Sequence, residues 1–185
     1  VLVERLEISR GPAPVRAGPS LGASVNAIFK TVPYANGPGL ETSGDVTLGG
    51  RTGDSATLYG GVGGIATENA RLFARFSKEE GGDIAYPGGK IASSGHERLV
   101  FGLGGSLRFG DSEIGLDLRR QETGETGNPP FPMDIQYFDT DTARLTASTR
   151  LAGWTLNAQA SLAEVAHLMN NYSLRPSPAA MQQRA

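Results

Sequence analysis

Cysteine is absent from the 185 residues, so neither disulfides nor thiolate metal sites are open to this chain. No stretch reaches the ~18 consecutive apolar residues of a membrane helix, which excludes a helical membrane protein. Charge of neither sign dominates: a formal net charge of −2 and a pI near 5.7 give no reason to expect a nucleic-acid partner. Apolar residues make up only 38% of the chain, unusual for a compact soluble domain of this length. The chain begins with Val1 rather than Met, with no basic region and apolar core of a signal peptide after it, and the reading is a piece of a longer polypeptide.

What is abundant is glycine, 26 residues, about twice the ~7% of average usage. Gly60, Gly61, Gly63 and Gly64 fall inside strand patterns, where glycine allows close backbone approach or sharp coiling. No phosphate-binding G-x-x-x-x-G-K-[ST] is present. Val1, Val3, Leu6 and Ile8 read as one short strand stopped at Arg10-Gly11-Pro12, and Ser24–Ile28 as a second after the break at Gly18-Pro19. PYANGPG, residues 33–39, is a linker by composition.

From Leu40 onward apolar and polar residues alternate with period two. The segments start near Leu40, Ser55, Leu72, Leu99, Ile114, Ala143 and Trp154, and the cleanest is Leu99, Phe101, Leu103, Gly105, Leu107, Phe109. About seven amphipathic strands of roughly 9–13 residues match the ~9–11 that a tilted strand needs to cross a bilayer. Short turns at 67–70, 110–112 and 152–153 alternate with long connections at 79–96, 122–140 and from 170 onward, the asymmetry of an outer-membrane antiparallel barrel. The polar rows carry charges in mid-strand, Arg71 and Arg75, Asp117 and Arg119, Arg144 and Arg150, which fit a wide, water-filled lumen. The fold class expected is therefore mainly β: an antiparallel transmembrane β-barrel fragment.

His167 and Met169 stand two apart, so on a strand they share a face and can close on one ligand. Imidazole plus thioether suits a soft late first-row metal, Cu(I) above all, better than calcium or magnesium; the alternative is a strand end with an incidental His and Met. Neutral imidazole is the form that binds, so affinity should weaken as pH falls through the ordinary imidazole range, about 6.5. Met133, Asp134, Met181 and His96 fall in or beside the long connections as further candidate contacts to a ligand. Glu79, Glu80, Asp83 and Asp134 read as solvated loop charges with no histidine at catalytic spacing, so no enzymatic chemistry and no catalytic cofactor are expected.

VERLEISRGP followed by VRAGPSLGASVNAIFK resembles the end of the plug domain of TonB-dependent outer-membrane receptors. Val3, Glu4, Arg5, Glu7, Arg10, Gly11, Pro12, Gly18, Gly22, Val25 and Asn26 fall on that pattern, while Arg16-Ala17-Gly18 departs mildly from the usual L-Y-G. FPMDIQYFDTDTARL and HLMNNYSLR resemble paired segments of the copper-receptor-like subfamily, through Pro132, Met133, Asp134, Asp139, Thr140, His167, Met169, Asn171, Tyr172, Leu174 and Arg175. Ala166 stands where an acidic residue often precedes the His.

The resemblance implies residues 1–32 as the C-terminal part of a plug, 33–39 as a linker and 40–185 as the N-terminal part of a 22-stranded barrel. It implies an outer-membrane location, lipid around the barrel, a TonB complex coupled through residues outside this chain, and a metal ion or metal chelate as the ligand. Copper is the favoured transported ligand. A siderophore or other organic ligand is the alternative, and a structural or adhesive β-barrel the reading from another class. A lipase-like enzyme would need a Ser/His/acid set that these residues do not assemble. Phe101, Leu103, Leu107, Leu116 and Leu145 are expected to face lipid. Arg at Leu103 should then cost about 2–4 kcal/mol near the bilayer midplane, and Arg at Gly104, on the lumen side, should fold far better.

Overall fold

In the computed structural model, which describes residues 2–11 and 22–185, the alternation becomes strands at nearly every place the pattern marks. The break at Pro12 and the Gly18-Pro19 segment, with Val1, lie outside the described residues. The elements are β1 Val3–Arg10, β2 Ala23–Phe29, β3 Glu41–Gly50, β4 Thr57–Ala66, β5 Ala70–Gly81, β6 Ala85–Tyr86, β7 Gly89–Lys90, β8 His96–Phe109, β9 Ser112–Thr123, β10 Asp134–Leu151 and β11 Trp154–Asn170. β1 pairs antiparallel with β2, β6 with β7, and the remaining seven form one antiparallel sheet in the order β11-β10-β9-β8-β5-β4-β3. The fold is thus mainly β, an up-and-down meander whose seven strands match the number read from the sequence.

Several strands run further than the local pattern marks. β5 continues through Glu79 and Glu80, β8 starts at His96, and β10 and β11 reach 18 and 17 residues, so much of what reads as polar loop is paired strand. Hydrogen bonding to a neighbour extends a strand where the apolar alternation has already stopped. The connection between β5 and β8 carries the β6–β7 hairpin.

The two faces of the large sheet differ. The inner face is the one covered by the segment after β2: Val32 is 1% exposed and packs with Val62 and Phe73, and Tyr34 and Ala35 are also buried. In β4 the apolar row Leu58, Val62, Ala66 therefore faces inward, with Tyr59 and Ile65 outside. The outer face is an exposed apolar band. On β10 it runs from Ala143 to Leu151 and on β11 from Trp154 to Leu162, and in tilted strands of that length it rises about 20–25 Å.

Phe101, Leu103, Leu107, Leu116 and Leu145 are all exposed on this outer face, as the alternation predicts. Tyr59, Phe76 and Phe101 lie along the loop-side edge of the band, and Phe109 and Trp154 along the turn-side edge. Beyond the loop-side edge the outward residues become charged: Lys78 is 3.0 Å from Glu80 and 3.2 Å from Glu97, and Arg120 is 2.7 Å from Glu122 and 2.8 Å from Asp141. In register, Phe101 sits opposite Arg120, so the edge drops by one row between β8 and β9. A band sheared this way is what inclined strands produce.

Gly104 corrects one expectation. It does face inward, but a Cβ built there lies 2.5 Å from the Phe73 ring and 3.1 Å from an Asp117 carboxylate oxygen, so the site is filled rather than open. Gly104→Ala should cost about 1–3 kcal/mol by overpacking, and arginine there should not fold. A folded-state assay that finds Gly104→Arg as stable as the parent would contradict this packing.

Candidate functional site

The inner face presents a row of guanidinium groups to the segment after β2. Arg71 donates to the Val32 carbonyl (2.9 Å), to Ser106 Oγ (2.7 Å) and to Thr31 Oγ1 (3.2 Å), and lies 4.6 Å from the Tyr34 ring centroid. Arg75, 5% exposed, pairs with Asp117, reaches toward the Lys30 carbonyl and packs between the rings of Phe29 and Phe73. Arg119 stands over Phe29, Arg108 stacks 3.5 Å from the Tyr34 centroid, and the Tyr34 hydroxyl is 2.6 Å from Ser106 Oγ. The mid-strand charges Arg71 and Arg75 thus do not line open water. They are consumed in gripping residues 29–34, whereas Arg144 and Arg150 remain exposed.

At the loop end two clusters form. In the first, Arg51 holds Asp54 (2.7 Å) and Glu79 (3.2 Å), and His96 Nε2 lies 3.2 Å from Arg51 Nη2 and 3.5 Å from Glu79 Oε1. Glu79 is therefore a paired strand residue beside a histidine, not a free loop charge. A cleft of about 490 Å³ opens beside His96, lined also by Glu80, Asp83, Glu97, Glu125 and Leu174.

The second cluster centres on Asp134, which is 0% exposed. Its Oδ2 accepts from Arg175 Nε at 2.6 Å, and its Oδ1 accepts from Arg175 Nη2 and, at 2.7 Å, from the Asn128 amide. Arg175 donates as well to the carbonyls of Phe131 and Asn128, each at 3.1 Å. Asp134, read as a solvated charge, is instead the most enclosed carboxylate among the described residues, and both of its oxygens are engaged.

His167 and Met169 both belong to β11, on the same face, two residues apart. The exposed His167 ring is 5.6 Å from Phe138, its neighbour in register on β10. Met169 is half-buried and paired on both edges, to Ile135 on one side and by two 2.9 Å backbone hydrogen bonds to Ala185 on the other. Met133 precedes Asp134 in the connection between β9 and β10. Met181, 65% exposed, ends a short 3-10 turn, and its carbonyl accepts from Asn171 Nδ2 at 2.9 Å.

His96 stands apart, with β9 and β10 between its strand and that of His167. Among the described residues no three His, Asp or Glu side chains gather in a metal-binding group. The sequence marks neither Arg51 nor Phe138, and it reads Glu79 only as a solvated loop charge. Apart from Asp54, their partners lie 17 to 45 residues away, and nothing in the adjoining residues marks them.

No family model and no curated protein matches the chain. Its fold is shared with part of a solved transport protein. The structure titled Copper transporter OprC superposes over 95% of this chain with a TM-score of 0.82 at 17% sequence identity, and the chain spans 28% of that protein. At that identity the likeness establishes the fold.

The Arg51 hydrogen bond holds the Asp54 carboxyl below the ordinary carboxylate range, against the opposing effect of its burial. A depressed carboxylate stabilises the folded loop above the ordinary value of ~3.9 and loses that contribution as pH falls through the depressed value. Asp54 also organises its neighbours, since its Oδ1 accepts from the Ala56 amide and its carbonyl from Gly82. Hydrogen-exchange protection of Ala56 and Gly82 should therefore be flat between about pH 7 and 5 and fall below about pH 4. Asp54→Asn should remove that acid-side step.

Proposed function

We propose that this chain is part of an outer-membrane receptor that takes up a metal ion or metal chelate, with copper the favoured cargo and TonB coupling supplied from outside these residues. The observation that carries the membrane reading is the outer face: a continuous apolar band, edged by aromatic residues and bounded by charged pairs on the loop side. Outer-membrane barrels present this surface to lipid. The inner arginines that hold residues 29–34 support the assignment of residues 1–32 to a plug joined by the 33–39 linker to the barrel. The likeness in fold to a protein titled as a copper transporter favours transport over catalysis.

For copper, the support is the His167/Met169 pair on one strand face. Imidazole and thioether together favour Cu(I). In this reading the pair supplies two donors to a cuprous ion, Met133, Met181 and His96 lie on the loop side along the approach, and the remaining donors come from plug residues outside the chain. Transport then needs no covalent step: the ion exchanges between ligands as the plug moves. An organic chelate remains the second reading, and its observation is the cleft beside His96, which offers several polar side chains at the loop end.

Two experiments test these readings in the full-length receptor. Leu145→Arg should cost about 2–4 kcal/mol if that side chain meets lipid, whereas Thr146→Arg, on the exposed inward row, should fold nearly as well as the parent. Equal penalties would sink the membrane reading. His167→Ala with Met169→Ala should abolish tight Cu(I) binding in a competition titration while the barrel stays folded. An unchanged copper stoichiometry in that double variant would remove the site and leave the barrel assignment standing.

A further inference from the structure

The last turn of β11 is held from outside its own strand. Asn170, 4% exposed and opposite Asp134 in register, accepts from the Tyr172 and Ser173 amides through its Oδ1 (3.1 and 2.9 Å) and donates to Ser173 Oγ at 2.8 Å. The chain therefore turns back directly after Met169. The returning segment pairs with it: the Asn171 amide donates to the Gln183 carbonyl at 3.3 Å, and Met169 and Ala185 exchange two hydrogen bonds. Arg175 closes this turn onto the connection between β9 and β10 by its fork onto buried Asp134 and its bonds to the Asn128 and Phe131 carbonyls. A further bond, Ser93 Oγ to the Leu174 carbonyl at 2.5 Å, fastens the β5–β8 connection to the same segment.

We propose that the Asp134–Arg175 pair is a positioning device for the metal pair: it fixes the turn at 170–173 and so sets where the Met169 thioether stands relative to the His167 imidazole. This rests on the copper reading of that pair. The physical argument is directional. His167 lies inside β11, where its backbone is held by pairing with Phe138. Met169 lies next to the strand end, beside a bulge between Ile135 and Tyr137 on β10, and its other edge is paired only with Ala185 of the returning segment, so its direction depends on how that segment is held.

A planar guanidinium with both carboxylate oxygens occupied admits one geometry, which an ammonium does not reproduce. Asp134 itself is fully enclosed, with both oxygens turned to Arg175. Groups that orient a ligand from behind in this way commonly change metal affinity by about 10–100-fold when replaced.

Arg175→Lys keeps the charge and removes the fork. In the full-length receptor loaded with Cu(I) alone, it should weaken binding about 10–100-fold and lower the sulfur scattering around copper in X-ray absorption, while the nitrogen contribution persists. Asp134→Asn, nearly isosteric, should act in the same direction and serves if the lysine variant does not fold. Hydrogen-exchange protection of Met169 should fall in both, with strand protection in β8 and β9 unchanged.

Affinity and sulfur scattering within twofold of the parent in both variants would overturn the positioning role. The copper reading fails separately, on other samples: a parent receptor that binds no Cu(I), or a His167→Ala/Met169→Ala variant that binds it as the parent does, removes both claims. A parent that binds and a double variant that does not, beside an unaffected Arg175→Lys, removes only this one.

Discussion

Arg71 and Arg75 bring two guanidinium groups to the inner face of β5, and charge withdrawn from water must be met by acceptors. The sheet supplies part of that requirement through Asp117, Glu113 and Ser106. The rest comes from backbone carbonyls of residues 30 and 32, which belong to a different part of the chain. Because the 29–34 segment meets the two arginines with these carbonyls and the Thr31 hydroxyl, cation and segment are mutually dependent. Remove the segment and Arg75 loses the Lys30 carbonyl and the Phe29 ring that cover it; remove the arginines and Val32 and Tyr34 lose partners that hold them on the inner face.

The same alternation that sends the arginines inward sends Leu, Phe and Trp outward. A strand has only two faces, so each inward charge fixes the neighbours on either side as outward residues. The outer band and the inner grip are therefore two consequences of one register. A slip of a single residue would put Arg75 and Arg119 in the band and Leu103 against Phe29. The glycines take part where side chains would collide, as at Gly104 beneath Phe73.

At the loop end the organisation changes from pleat to cross-links. The connections after β3, β5 and β9 and the segment after β11 are tied by Arg51 to Asp54 and Glu79, by Arg175 to Asp134, and by Gly127 N to the Gly95 carbonyl at 2.8 Å. Few apolar residues are available there, so order depends on charged groups with fixed geometry. A region held in this way is specific in shape yet sensitive to the loss of a single partner, which suits segments that must present a few side chains to a ligand.

The sequence by itself determined the strand number of the large sheet, the faces of Phe101, Leu103, Leu107, Leu116 and Leu145, and the common face of His167 and Met169. These follow from period two, a local property of the backbone that neighbours in sequence cannot hide. Strand ends were not legible in the same way. β10 and β11 continue past the point where apolar alternation ceases because their partners' hydrogen bonds carry them on.

The fates of the charges were also decided only in three dimensions. Asp134 looks like any loop acid until Arg175, 41 residues later, closes on it, and Arg71 and Arg75 look like lumen residues until the chain before them returns across their face. Burial of a charge is a property of what arrives from elsewhere in the chain, and no local pattern of residues encodes that arrival.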